Sequence, residues 1–131
     1  MRELVFGEGL MTPTLEGEKT FTIRRYRSEA HDFKEGEIVI GKFKDGLDIL
    51  LRITRNTHVA SFRDLAGATH KKLAKNGYYF DEEYFKGLAA YYPDLKWEEQ
   101  GAVVFTEVYR VDGVPAVQLN EFAVAENPLT P

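Results

Sequence analysis

Two apolar runs joined at Asp45-Gly46 constrain this chain more than any other feature. Glu37 to Phe43 and Leu47 to Thr54 flank that dipeptide. Asp-Gly between apolar runs signals a hairpin, because the favoured tight turn needs φ above zero at both central positions. Leu47, Ile49, Leu51 and Ile53 recur at every second position, which predicts one buried side of a strand. Leu4, Val5 and Phe6 predict a short first strand, ended by Gly7 and Gly9. Leu10 to Leu15 fit one or two helical turns, with Pro13 tolerated in the first turn, and Gly17 stops them. Thr20 to Arg25 alternates again: Phe21 and Ile23 face one way, Thr20, Thr22 and Arg24 the other.

The period then changes. Ser61 followed by Asp64 resembles a capping box, and Phe62, Leu65, Ala66, Thr69 and Leu73 follow helical spacing up to Asn76-Gly77. Asp81 is placed to cap a second helix carrying Phe85, Leu88, Ala89 and Tyr92 on one face and stopped by Pro93. A last strong strand covers Ala102 to Val111, and Asp112-Gly113 offers another hairpin turn. Val114 to Leu119 either pairs back or pairs with another subunit. Glu126 to Pro131 reads as a loose tail. Strands, two helices, then strands predict an α+β fold. Because most strands are hairpin-linked, the expected sheet is mostly antiparallel and curled. The expected form is a small closed or nearly closed β-barrel with two or three helices packed against it.

Composition narrows the function classes. A chain of 131 residues with 44% hydrophobic residues can build one real core. The absence of cysteine excludes disulfides and thiolate zinc sites. His31, His58 and His70 are too far apart in sequence for a paired metal motif, so neither a metal nor a cofactor is expected. No apolar run approaches the roughly 18 residues of a membrane helix. Met1 to Gly7 is too short and charged for a signal peptide, so the cytoplasm is the expected location. A net charge of −4 argues against general coating of nucleic acid. Arg24, Arg25 and Arg27 still make a local basic patch.

The chemistry concentrates between Gly17 and Arg24. Lys19 stands at a loop-to-strand junction, Gly17 frees the backbone before it, and Thr20, Thr22 and Arg24 share one strand face. Lys and Arg supply charge and donors for phosphate or carbonyl oxygen, and Thr supplies both a donor and an acceptor. An ordinary amphipathic strand with a solvated polar face has the same spacing.

The run Leu15-Glu16-Gly17-Glu18-Lys19-Thr20-Phe21-Thr22-Ile23-Arg24 resembles the G-x-K-T-x-T-x-R signature of the ASCH-domain family. Phe33 to Glu37, Tyr91-Tyr92-Pro93 and the strand from Val103 to Val108 stand where that family has similar segments. The resemblance covers roughly residues 3 to 110. It implies an ASCH domain over 1–111 and an extension over 112–131, which would hold an extra strand and the tail. It further implies a barrel similar to that of PUA domains, and RNA or a nucleotide-like small molecule as partner. The ligand would lie in a cleft contacted by Gly17, Lys19, Thr20, Thr22, Arg24 and Arg25. A bacterial subgroup of similar size hydrolyses acetylcytidine nucleosides with a Lys, a Thr and a Glu. Lys19 and Thr22 match the first two and become the candidate catalytic pair of a metal-independent amidohydrolase. The Glu should follow His70 closely, but Ala74 or Lys75 stands there, and an ammonium cannot act as a carboxylate base. Without that base, Lys19 could activate the Thr22 hydroxyl only with a depressed pKa. A third reading is a protein-interaction domain that keeps only the fold.

Other candidates each carry two readings. Asp81, Glu82 and Glu83 either reach the site or favour a helix N-terminus by charge. Glu107 either faces inward to pair with Lys19 or Arg24 or stands exposed at an edge. Tyr78, Tyr79 and Phe80 either stack on a base or cover the core, and Trp97 reads as packing. His31-Asp32 either lines the cleft mouth or sits in an exposed turn. Arg25, Tyr26 and Arg27 either contact RNA or form a solvated turn.

Overall fold

A computed structural model describes residues 1–44, 46–68 and 77–118. In chain order the described elements are β1 (Glu3–Phe6), α1 (Met11–Leu15), β2 (Phe21–Arg25), α2 (Ser28–His31), β3 (Ile38–Phe43) and β4 (Asp48–Ser61). They continue with α3 (Phe62–Gly67), α4 (Glu82–Tyr91), β5 (Gln100–Val108), β6 (Arg110–Val111), β7 (Val114–Pro115) and β8 (Val117–Gln118). The fold is α+β. Hydrogen bonding runs in the order β1-β3-β4-β5-β2, with β8 beside β4 and a separate β6–β7 ribbon. The β1–β3 pair is parallel, whereas β3–β4 and β2–β5 are antiparallel.

Two compact units share the chain, and β4 and β5 contribute residues to both. The first comprises Met1–Lys19, Glu35–Thr54 and the described residues from Thr106. Its core is the side of β4 that the alternation predicts: Ile49, Leu51 and Ile53 are all but inaccessible to solvent. Leu4 and Phe6 of β1 join them, and the Phe6 and Phe43 rings stack at 4.7 Å. Leu47 departs from expectation. It precedes β4 and is 54% exposed, because pairing starts at Lys42 with Asp48 and leaves Leu47 in the connection. Asp45 lies outside the described residues.

The second hairpin turn forms as expected. Asp112 and Gly113 take φ of 52° and 78°, and Arg110 and Val111 face Pro115 and Val114. Positive φ at both central positions gives the hand of turn that matches strand twist. The return limb reaches β4. Ala116 donates to Tyr109 O and accepts from Leu50 N, while Ile49 pairs with Val117. Leu119 and the tail lie outside the described residues.

The second unit comprises Thr20–Lys34 and the described residues of Arg55–Phe105. Its core holds Ile23, Phe62, Leu65, Tyr78, Phe80, Leu95, Val103 and Phe105. β4 continues to Ser61, beyond the expected end at Thr54, and delivers the chain directly into α3. The first three amides of α3 are satisfied by different partners. Phe62 N donates to Glu99 O, Arg63 N to Trp97 O, and Asp64 N to Ser61 Oγ. Thr69, His70, Leu73, Ala74 and Lys75 lie outside the described residues. Asp81 caps α4 as expected, with Oδ1 accepting from Tyr84 N at 2.8 Å. Replacing Asp81 with alanine therefore costs about 1 kcal/mol of stability, readable as a lowered midpoint in chemical denaturation. An unmoved midpoint would mean that the cap does not hold α4 in solution.

Candidate functional site

The Gly17 segment is built first as a helix ending. Gly17 takes φ of +79°, Gly17 N donates to Thr14 O, and Glu18 N donates to Pro13 O. These two bonds with a left-handed glycine form a Schellman ending, which satisfies the last carbonyls of α1. Lys19 N also donates to Pro13 O. The amides of residues 17–19 are thus committed to the helix, and the segment presents side chains rather than backbone donors. Gly17 is exposed and Lys19 half-buried; Lys19 closes the first unit and exposed Thr20 opens the second.

Among the described strands of the second unit β2 is outermost, paired on one side with β5. Thr22 stands opposite Val104 and Arg24 opposite Ala102. The polar face is unevenly covered: Thr20 is exposed, Thr22 is only 7% exposed and Arg24 is half-buried. Tyr84 of α4 and Tyr92 at its C-terminal cap lie beside this stretch. Tyr84 Oη accepts the amide proton of Ile23 at 3.2 Å, a group that an edge strand otherwise leaves unpaired. The Thr22 hydroxyl also hydrogen-bonds Tyr84, and Arg24 Nε donates to Thr22 Oγ1 at 3.5 Å.

The electrostatics follow from this burial. Loss of water lowers the pKa of Arg24, while the nearby phenols of Tyr92 and Tyr84 raise it. The guanidinium nonetheless keeps its charge. Burial raises the Tyr84 pKa, opposed chiefly by the Ile23 amide and by Arg24.

His31, expected in an exposed turn or at a cleft mouth, is instead buried at the end of α2. Its Nδ1 accepts from Arg27 N at 3.1 Å. Burial first, then Arg24 and Arg27, push its pKa down to about 4. The ring is therefore neutral near pH 7, with its proton on Nε2. Thr57 fixes the exit of α2, donating from Oγ1 to His31 O at 2.6 Å and accepting from Phe33 N at 2.9 Å.

The remaining candidates take other places. Arg25 pairs with Glu99 at 2.5 Å and with Asp94 at 3.5 Å, and lies over the Tyr92 ring at 5.4 Å. Arg27 is exposed and Tyr26 half-buried. Glu107 is exposed and pairs with Arg52 rather than facing inward. Glu82 and Glu83 stand exposed in the first turn of α4, where negative charge favours the helix dipole. Tyr78 and Phe80 are core residues, and Trp97 stacks on Phe85 at 4.0 Å. Among the described residues no group of three or more His, Cys, Asp and Glu side chains could hold a metal ion. No described helix is long and apolar enough to cross a membrane.

Sequence reasoning missed Tyr84 as a site residue. Its signal was the recurrence Tyr84, Leu88, Tyr92, obscured by Phe85 on the neighbouring, more obviously apolar side. It also missed the burial of His31, because four residues make too short a helix to show a period.

No family model matches this chain, and no curated protein matches it by sequence. Its structure is similar to the crystal structure of protein EF3133 from Enterococcus faecalis V583, which carries the family-model name DUF984. The two share 16% identity and a TM-score of 0.50, over 92% of this chain and 84% of that one. At that identity the likeness concerns architecture alone: this chain has the α+β fold of the Enterococcus protein.

Proposed function

We propose that this chain is an ASCH-type, PUA-like binding module that holds RNA or a nucleotide at the β2 edge, with Thr22 and Arg24 as its principal contacts. The observation that carries the reading is Arg24 itself. Its guanidinium is drawn out of water, hydrogen-bonded to the buried Thr22 hydroxyl, and influenced by two phenols. A desolvated guanidinium is a stronger partner for a phosphate or a base carbonyl than a fully hydrated one. Lys19, Thr20 and Gly17 precede this strand in the motif, and Lys19 adds cationic charge to the same segment.

Titration with a single-stranded oligoribonucleotide tests the reading. Arg24→Met removes a charge-assisted contact, so it should weaken binding by about 10- to 100-fold. Lys19→Ala should weaken it less and flatten its salt dependence. Equal affinity of both variants and the parent would sink the assignment.

The hydrolase reading of Lys19 and Thr22 needs a carboxylate base, whereas binding does not. Asp81 Oδ1 accepts the Tyr84 amide and Glu107 pairs with Arg52. The binding reading therefore expects acetylcytidine to stay intact on incubation with the protein, as followed by chromatography.

A further inference from the structure

Two hydroxyl groups beside Arg24 bear on what a ligand must offer. Thr22 and Tyr84 are bonded to each other, and each also receives a hydrogen from nitrogen: Thr22 Oγ1 from Arg24 Nε at 3.5 Å, Tyr84 Oη from Ile23 N at 3.2 Å. A hydroxyl carries one hydrogen and accepts through its lone pairs. The pair therefore owns two hydrogens, and the bond between them consumes one, whichever way it runs. The other hydroxyl hydrogen is left over, and among the described residues no acceptor takes it.

Its place follows from the surroundings. Thr22 is 7% exposed, whereas Tyr84 is half-buried. The bond to Thr22 also favours the ionised form of Tyr84, as a hydrogen donated by Thr22 does. The hydrogens thus run from Arg24 Nε to Thr22, from Thr22 to Tyr84, and end on the phenol. A chain of bonds that starts at a guanidinium polarises the later ones, so the terminal phenol becomes a stronger donor. The guanidinium is a cation and likewise only donates. A group that meets both must accept from both, and negative charge favours it.

We propose that Tyr84 is a further ligand contact and a specificity determinant, donating its hydroxyl hydrogen to an oxygen of the ligand's phosphate beside Arg24. This rests on the nucleotide-binding reading above and assigns the phosphate, rather than the base, to this part of the β2 edge. An amino group of a base would bring a third donor to a place that already has two.

Calorimetric titrations with 5′-CMP and with ribose 5-phosphate, which lacks the base, test the proposal. Tyr84→Phe removes a hydrogen bond to a charged group, so it should weaken both ligands alike, by about 10- to 100-fold. Because Tyr84→Phe also loses the Ile23 bond, Leu88→Ala serves as the control: Leu88 packs on the same core from α4 and carries no polar group. Leu88→Ala should lower the urea midpoint yet bind both ligands like the parent. Parent-like affinity of Tyr84→Phe for both ligands overturns the contact while leaving the Arg24 reading in place. A loss for 5′-CMP alone overturns it too, because the phenol then meets the base. So does an equal loss in Leu88→Ala, since Tyr84 then only supports the fold. A parent that fails to bind ribose 5-phosphate overturns it as well, and one that also fails to bind 5′-CMP and the oligoribonucleotide takes the nucleotide reading with it.

Discussion

Phe62→Ala should lower the free energy of unfolding by about 3–5 kcal/mol, the range for deleting a fully enclosed aromatic ring. Phe62 is inaccessible to solvent at the start of α3, with its ring 5.5 Å from Phe80 and 5.9 Å from Phe85. Its position is matched by Gly101 on β5: a Cβ added there would lie 2.6 Å from Phe62 Cε1 and 3.0 Å from Leu65 Cδ1. The strand comes close to the ring only because that residue has no side chain. Gly101→Ala should accordingly destabilise by about 1–3 kcal/mol through overpacking. Combined with Phe62→Leu, which vacates space, it should cost less than the sum of the two changes. Urea denaturation of the single and double variants reads these values. A loss below about 1 kcal/mol for Phe62→Ala would show that the ring is not enclosed in solution.

Acid should weaken the fold through His31. Its unfolded value of 6.5 falls to about 4 in the folded protein. Below pH 6.5 the unfolded chain takes up a proton that the buried ring refuses. Stability contributed by the neutral ring is therefore complete above pH 6.5 and is lost as the pH falls towards 4. The full drop is roughly 3 kcal/mol. Glu98 and Glu99 are held below the ordinary carboxylate range by hydrogen bonds from Arg63 and Arg25, so they add acid sensitivity at lower pH. His31→Asn separates these effects, since its amide oxygen can still accept from Arg27 N. Between pH 6.5 and 4.5 its denaturation midpoint should fall less than that of the parent. Parallel curves would remove His31 as the cause.

The sequence made local structure easier to read than its surroundings. The caps at Ser61 and Asp81, the stop at Gly17 and the Asp112-Gly113 turn each depend on a few neighbouring residues, and all form. The buried side of β4 was legible because period-2 alternation is enforced by one core. Leu47 broke that pattern because register, set by a cross-strand partner, decides where a strand starts. The polar side of β2 was legible as a set of residues but not as an environment. Thr20, Thr22 and Arg24 alternate in the way a solvated face does. Tyr84 of α4, distant in sequence, hydrogen-bonds buried Thr22, and Arg24 is half-buried nearby.

The phenol at the strand edge has a further consequence. The Ile23 amide is closed off by a side chain on a separate helix, so edge protection and helix docking are one event. Any condition that loosens α4 bares a strand able to recruit a strand from another molecule. Tyr84 therefore guards this strand edge against self-association as well as holding the helix to it.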